Sequence, residues 1–282
     1  MATHKTVLIT GATSGIGLEA AVELARGAAA LVLVGRDPAR TGAALAEVKA
    51  RSGSSNVESL LCDFSSQASV RQLAADYRAR HQRLDILINN AGGVSTRRLL
   101  TVDGIEQTFA VNHLGYFLLT NLLLDLVIKS APARIINVAS TGHYRGTLDF
   151  DDLGFERGYQ ILKAYTRSKL ANVLFTRRLA RQLEGRGVTV NAVHPGGVAT
   201  NIWSGAPGWS QPILAVAKRL FMITPAQGAQ TITFLATSPT VADMTGLYFE
   251  KNQQKTPSKL AQDDALAERL WIESARLVKL TP

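Results

Sequence analysis

The sequence predicts an α/β fold, a doubly wound parallel sheet with helices on both faces, and three observations carry that reading. Short β-branched or aliphatic runs alternate with longer amphipathic stretches along the chain. The alternation recurs in units of about 25 to 30 residues, room for a strand, a right-handed crossover helix and the next strand. The first apolar run empties into a glycine-rich turn that opens a helix.

Taken in order, residues 6–10 (TVLIT) form the first strand, and 15–26 continue from the turn as an amphipathic helix. Residues 30–34, 57–62, 86–89, 134–139, 188–194 and 247–249 read as the following strands, each short and rich in Val, Ile or Leu. Between them, 39–51, 66–80, 104–128 and 164–184 show helical spacing of apolar residues, and 260–280 shows it again near the end. No Ser/Gly/Pro linker or internal repeat divides the chain, so residues 1–282 are expected to form a single domain with a C-terminal helical extension. That extension fits a cover over a pocket and an interface in a homodimer equally well. The least regular stretches, 141–158 and 196–212, directly follow strands. In an open α/β sheet the ligand crevice lies at the carboxyl ends of strands, which makes both stretches substrate-loop candidates.

Composition narrows the function. A hydrophobic content of 46% with 19% charged residues suits a soluble globular protein with a large core. The net charge of +9 is spread along the chain instead of forming a block, which argues against a nucleic-acid tail. It leaves open a solvated basic surface or attraction to an anionic cofactor or an acidic membrane surface. Cys62 is the single cysteine, so no intrachain disulfide can form. The five histidines, His4, His81, His113, His143 and His194, have no zinc-ligand spacing, and no metal is expected. The longest apolar segment, 116–128, is interrupted by Asn121 and Asp125 and is too short to span a bilayer. The first residues lack the pattern of a signal peptide. No transmembrane segment and a cytoplasmic location are the expectation.

The first strand feeds Gly11-Ala12-Thr13-Ser14-Gly15-Ile16-Gly17, and strand before with helix after is the context in which such a turn binds a dinucleotide. Gly11 permits a tight exit from the strand, Gly15 lets backbone approach a pyrophosphate, and Gly17 lets the helix, which begins near Ile16, pack close to the sheet. Thr13 and Ser14 add hydroxyl donors. An NAD-binding unit would place an acidic residue about 20 residues past the turn to accept from the ribose hydroxyls. This chain has Val34-Gly35-Arg36 there, and a guanidinium suits a 2′-phosphate, so NADP(H) is favoured as the cofactor. The neighbouring Asp37 could still approach the ribose. Asp63 could accept from an adenine amino group or cap the next helix. Asn89-Asn90-Ala91-Gly92 ends the fourth strand, where the amides can tie neighbouring strands while backbone groups face the cofactor.

Tyr165 and Lys169 are four apart on one helix and share a face, which sets a phenol beside an ammonium. A tyrosine working near neutral pH needs its pKa lowered by about 3 units, on the order of 4 kcal/mol, and a close cation acts in that direction. Ser140 follows the fifth strand, where its hydroxyl can bond a substrate oxygen. Asn112, on the long apolar helix, is a polar side chain that needs buried partners.

These motifs, in this order, resemble the classical short-chain dehydrogenases/reductases: Thr10-Gly11-x-x-x-Gly15-Ile16-Gly17, Asn89-Asn90-Ala91-Gly92, Asn112, Ser140, Tyr165-x-x-x-Lys169 and Pro195-Gly196. The resemblance covers nearly the whole chain and implies a Rossmann-type fold. It implies that Tyr165 is the acid/base and that Lys169 lowers its pKa and holds the nicotinamide ribose. Ser140 would orient the carbonyl or hydroxyl, and Asn112 would carry a water-linked proton relay. Residues 193–198, with Val198 among them, would lie by the nicotinamide, and Thr200 near the diphosphate or amide.

The segment 164–172 (AYTRSKLAN), His194-Pro195-Gly196, Gly246-x-Tyr248-Phe249 and Leu270-Trp271 are similar to the retinol dehydrogenase and WW-domain oxidoreductase branch. That branch implies apolar carbonyl substrates. Two departures stand out: no N-terminal membrane anchor like that of microsomal members is expected from residues 1–5, and Trp203 and Trp209 lie in a context the branch does not explain. An extra loop, 144–159, carries Asp149, Asp151, Asp152 and Glu156 and reads as a solvated excursion or as a wall of the substrate pocket. The expected function is NADP(H)-dependent interconversion of a small-molecule carbonyl and alcohol. The alternative is a catalytically quiet NADP(H)-binding sensor or interaction protein on the same fold.

Overall fold

The computed structural model describes residues 5–27, 30–196 and 223–281. Eight strands form one sheet: β1 (Thr6–Thr10), β2 (Ala30–Gly35), β3 (Val57–Leu61), β4 (Ile86–Asn89), β5 (Ala133–Val138), β6 (Val188–His194), β7 (Tyr248–Glu250) and β8 (Gln253–Lys255). Their order is β3-β2-β1-β4-β5-β6-β7-β8, parallel as far as β7, with β8 antiparallel at the edge. The chain winds outward in one direction from β1 to β3 and in the other from β4 onward, so a crevice opens beyond the carboxyl ends of β1 and β4.

The helices are α1 (Gly15–Arg26), α2 (Pro38–Ser52), α3 (Gln67–Arg80), α4 (Gln107–Lys129), α5 (Ile161–Gln182), α6 (Pro225–Thr237) and α7 (Asp264–Leu277). The expected elements recur with end shifts of a few residues. The long apolar helix starts at Gln107 instead of 104, because the Glu106 carboxylate caps it by accepting from the Thr108 and Phe109 N–H groups. Two elements were not anticipated. α6 begins at a capping box formed by Thr224 and Gln227, with Pro225 at its first turn. β8 is a fully exposed Gln-Gln-Lys strand without alternation, joined to β7 through Lys251 and Asn252, both at positive φ.

Strand residues alternate between two cores. Val7, Ile9 and Ile88 face α1, α2 and α6, while Leu8 and Leu87 face α3, α4, α5 and α7. α4 is apolar enough to cross a membrane, with a mean hydropathy of 1.5, but 67% of that stretch is buried in the domain. A π-helical turn, Ala110–Leu114, interrupts it and turns Asn112 and His113 inward.

α7 packs along α5 in the core that α3, α4 and α5 share. Trp271 stacks on Phe175 at 5.9 Å and meets Phe117 edge-on at 4.8 Å, with the Arg178 guanidinium over its ring. Ion pairs from Arg178 to Glu268 and from Arg177 and Arg181 to Asp264 rim the contact. None of the described α7 residues lines the main cleft. His113 is fully buried among Phe109, Phe117 and Phe175.

Removing the Trp271 side chain takes an aromatic out of this helix contact, so Trp271→Ala should lower unfolding free energy by about 3 kcal/mol, read from urea denaturation. Burial pushes the His113 imidazole down to about 4. Its folded pKa lies below the unfolded value, so its share of stability is present above about pH 6.5 and is lost as pH falls toward 4. The urea midpoint should therefore drop across that window, and less so in His113→Gln; equal pH profiles for the two proteins would show that His113 does not carry the effect.

Candidate active site

A cleft of about 310 Å³ runs along the carboxyl ends of β1, β2, β3 and β4. Gly11, Thr13, Arg36, Asp63, Ala91 and Gly92 from the sequence reading all line it. Gly11 and Gly15 have positive φ, 66° and 58°. A Cβ on Gly17 would sit 2.4 Å from the Gly11 carbonyl oxygen and 2.5 Å from the Asn90 amide nitrogen, so α1 can approach the β1 turn only with glycine there. Ser14 is the N-cap residue, yet its side chain makes no capping bond, leaving the first-turn N–H groups around Ile16 without a side-chain acceptor. Uncapped helical N–H groups at a glycine turn suit the pyrophosphate of a dinucleotide.

Asp37 lines the cleft beside Arg36, and one of its carboxylate oxygens accepts from the Arg40 N–H at 2.8 Å and caps α2, while its carbonyl accepts from the Thr41 hydroxyl. Arg36 and Arg40 are the cations left on this end of the cleft. Arg40 was missed by the sequence reading; Asp37-Pro38, a cap followed by a proline, was the signal that put it in a first helical turn. Asp63 lines the cleft and also accepts from the Ser65 N–H and hydroxyl, and the cap of α3 is Ser66. Ser95, Gln107 and Thr108 also line the cleft and carry no motif that would have marked them.

Buried side-chain bonds hold the strand ends in register. Asn90 donates to the Thr10 and Gly11 carbonyls at 2.8 and 3.1 Å, and the Thr10 hydroxyl accepts from the Asn90 and Ala91 N–H groups. Asn89 donates to Asn137 at 2.8 Å, and Asn137 in turn to Thr176 of α5 at 2.9 Å. Asn112 joins the cleft to the catalytic helix candidate α5. Its side chain accepts from the Gly93 N–H at 2.8 Å and donates to the Gly93 carbonyl and the Ser168 hydroxyl, both at 3.0 Å. That side chain is therefore a tether, which leaves only its backbone carbonyl for the relay that the resemblance implies.

Beyond Asn112, Ser140, Tyr165 and Lys169 come together. Ser140 ends β5, accepts from the Gly142 N–H at 3.0 Å and hydrogen-bonds the Tyr165 phenol. Lys169 is 4% exposed, donates to the Val138 carbonyl at 3.0 Å and lies 5.7 Å from the Tyr165 ring centre. Burial pushes its ammonium down to about 8. Burial also raises the Tyr165 phenol, with the Ser140 bond pulling the other way. The lowered phenol expected from the Tyr165–Lys169 spacing is thus not produced by the protein's own groups: burial outweighs Ser140, and the lysine points to a carbonyl.

The extra loop is anchored to the domain at its centre, leaves its rim in solvent, and contributes no residue to the lining of the cleft. Leu153 and Phe155 are buried, while Asp149, Asp151 and Glu156 face solvent. Arg167 of α5 donates to the Thr147, Asp152 and Leu153 carbonyls and stacks 3.6 Å over the Phe155 ring. Arg98 donates to the Gly154 carbonyl, and the Tyr159 hydroxyl to that of Ser95 on the cleft. Pro195 and Gly196 follow β6 without lining the cleft, and Gly196 has φ 98°. Val198, Thr200, Trp203, Trp209 and most of the 196–212 loop lie outside the described residues.

The family model for short chain dehydrogenase matches residues 5–210. Human retinol dehydrogenase 13 is 45% identical over 281 residues, covering 98% of this chain and 85% of that protein. Human retinol dehydrogenase 14 is 43% identical, covering 98% and 87%. Among solved structures, an uncharacterised protein from Mycobacterium paratuberculosis superposes with a TM-score of 0.79 at 32% identity over 98% of this chain and 94% of that one. Actinorhodin polyketide ketoreductase with NADPH superposes with a TM-score of 0.71 at 27% identity, covering 88% and 96%. Fold, cleft and sequence agree: the chain is an oxidoreductase of the short-chain dehydrogenase/reductase family and belongs to its retinol dehydrogenase-like branch.

Proposed function

We propose that the protein interconverts an aldehyde or ketone and the corresponding alcohol with NADP(H), on an apolar substrate. The observation that carries this reading is the meeting of Ser140, Tyr165 and Lys169, tied through Ser168 and the Asn112 side chain to Gly93 on the cleft at the carboxyl ends of β1 to β4. The nicotinamide cofactor, when bound, supplies or takes up the hydride. In the reducing direction the Tyr165 hydroxyl gives its proton to the carbonyl oxygen, which leaves as an alcohol; in the oxidising direction its phenolate removes that proton. Ser140 orients the oxygen, and Lys169 holds the ribose of the nicotinamide half. The glycine turn and the uncapped start of α1 take the pyrophosphate.

NADP(H) over NAD(H) is supported by chemistry at the other end. A 2′-phosphate matches two guanidiniums on this end of the cleft, Arg36 and Arg40, while the one carboxylate between them, Asp37, uses an oxygen to cap α2. The solved ketoreductase relative holds NADPH. The apolar substrate is supported by the relatives named retinol dehydrogenases.

Tyr165→Phe should lower kcat about 10³-fold in an assay of NADPH oxidation over a panel of aldehydes and ketones. Turnover equal to the wild type would remove Tyr165 from the acid/base role, and cofactor binding without turnover on any carbonyl would favour a sensor. Arg36→Ala should weaken NADPH binding by about 10- to 100-fold and leave NADH nearly unchanged. Equal losses for both, or a wild type that prefers NADH, would reject the NADP(H) assignment.

A further inference from the structure

The anchor of Lys169 is shared. The Val138 carbonyl accepts from the lysine at 3.0 Å and, with its other lone pair, from the Asn172 amide at 3.2 Å. The same Asn172 nitrogen donates to the Asn112 carbonyl at 2.9 Å. Asn172 is fully buried on α5, one turn beyond Lys169. Behind it, His113 Nδ1 lies 3.3 Å from Asn172 Oδ1, and His113 Nε2 lies 2.9 Å from the Ser274 hydroxyl of α7.

Donor and acceptor chemistry allows one assignment of this chain. Both partners of the Asn172 nitrogen are carbonyl oxygens, which only accept, so the amide NH₂ faces them and Oδ1 faces the histidine. Oδ1 only accepts, so His113 carries its proton on Nδ1. Burial keeps the ring neutral, so Nε2 has a free lone pair and Ser274 donates to it. A directed path therefore runs from Ser274 through His113 and Asn172 to the carbonyl that holds Lys169.

We propose that Asn172 is a positioning residue for Lys169, its amide locked in the working orientation by His113 and Ser274, so that α7 sets the placement of the site lysine from the far side of α5. Asn172 bridges the Val138 and Asn112 carbonyls, so the acceptor of the ammonium is held from its second lone pair, and the Val138 carbonyl is the lysine's one protein acceptor among the described residues. With Asn172 removed, the Val138 carbonyl loses its second donor and its tie to Asn112, and the ammonium's remaining N–H groups lose their fixed direction. The inference rests on reading Lys169 as the ligand of the nicotinamide ribose.

NADPH dissociation constants of the full chain, measured for Asn172→Ala, Ser274→Ala and Lys169→Met and for each of the first two combined with the third, test this. Asn172→Ala should weaken binding about fivefold or more and Ser274→Ala about two- to fivefold, while neither adds more than about twofold in the Lys169→Met background. Losses of equal size in both backgrounds, or none in the single variants, would overturn the proposal. If Asn172→Ala does not fold, the Ser274→Ala pair decides by the same criterion. If Lys169→Met itself leaves the affinity unchanged, the ribose-ligand reading has failed, and the titration of Lys169 in spectra of [13Cε]lysine-labelled protein decides the positioning separately. Asn172→Ala or Ser274→Ala should then move its midpoint by about half a unit or more, upward, since an amide N–H sharing the carbonyl is lost or reoriented; an unmoved midpoint overturns it.

Discussion

Burying the Lys169 ammonium is the constraint on which the rest of the site depends. A lysine 4% exposed loses nearly all its hydration, and burial alone brings its pKa down to about 8. No carboxylate partner compensates it among the described residues; what remains is the Val138 carbonyl at 3.0 Å and the faces of Tyr116 and Tyr165 at 5.9 and 5.7 Å. Such a group tolerates little displacement, because a small movement removes its one charge-assisted bond. The carbonyl must therefore be fixed to the sheet, and β5, buried along its whole length between β4 and β6, provides that fixity.

The same demand explains why so many amides sit at one sheet edge. Strands paired only through their backbones can splay at their ends, where the ladder stops. Asn89, Asn137 and Thr176 carry the pairing on past β4 and β5 into α5, and Thr10 with Asn90 does so between β1 and β4. The glycine turn is part of this framework as well as a surface for phosphate, since the Asn90 amide fills the space that a Cβ on Gly17 would need. The cleft and the cluster of Ser140, Tyr165 and Lys169 are thus joined along one buried hydrogen-bonded edge, with Asn112 spanning the gap between Gly93 and Ser168.

Legibility in the sequence followed the locality of the interaction. The strands from β1 to β7 and the helices α1 to α5 were readable because apolar periodicity and turn chemistry act within a few residues. β8 was not, because Gln253-Gln254-Lys255 owes its pairing to β7 and to a turn with no glycine. At the site, Tyr165 and Lys169 were readable as one helical face, but the direction of the lysine was not: it is set by Val138, Asn172 and, through His113, a serine 161 residues away from that histidine. The place of Asp37 beside Arg36 on the cleft was readable by position, and its second role as a helix cap follows from Pro38, which starts α2 directly after it.

The electrostatics of Tyr165 follow from these placements. Spacing alone suggested an ammonium beside a phenol, yet the ammonium is held by a carbonyl and the phenol is raised by burial, with only Ser140 opposing. A phenol raised above its ordinary value is fully protonated at neutral pH. In the proposed reaction that state suits the reducing half, in which a proton must be present to give, and the developing alkoxide is a stronger base than the phenolate it leaves. The oxidising half asks for a phenolate, which burial opposes, and an oxidised nicotinamide, when bound, would bring a positive charge toward it. In the proposed reaction the Ser140 contact is the part of the balance that the chain itself supplies in both halves.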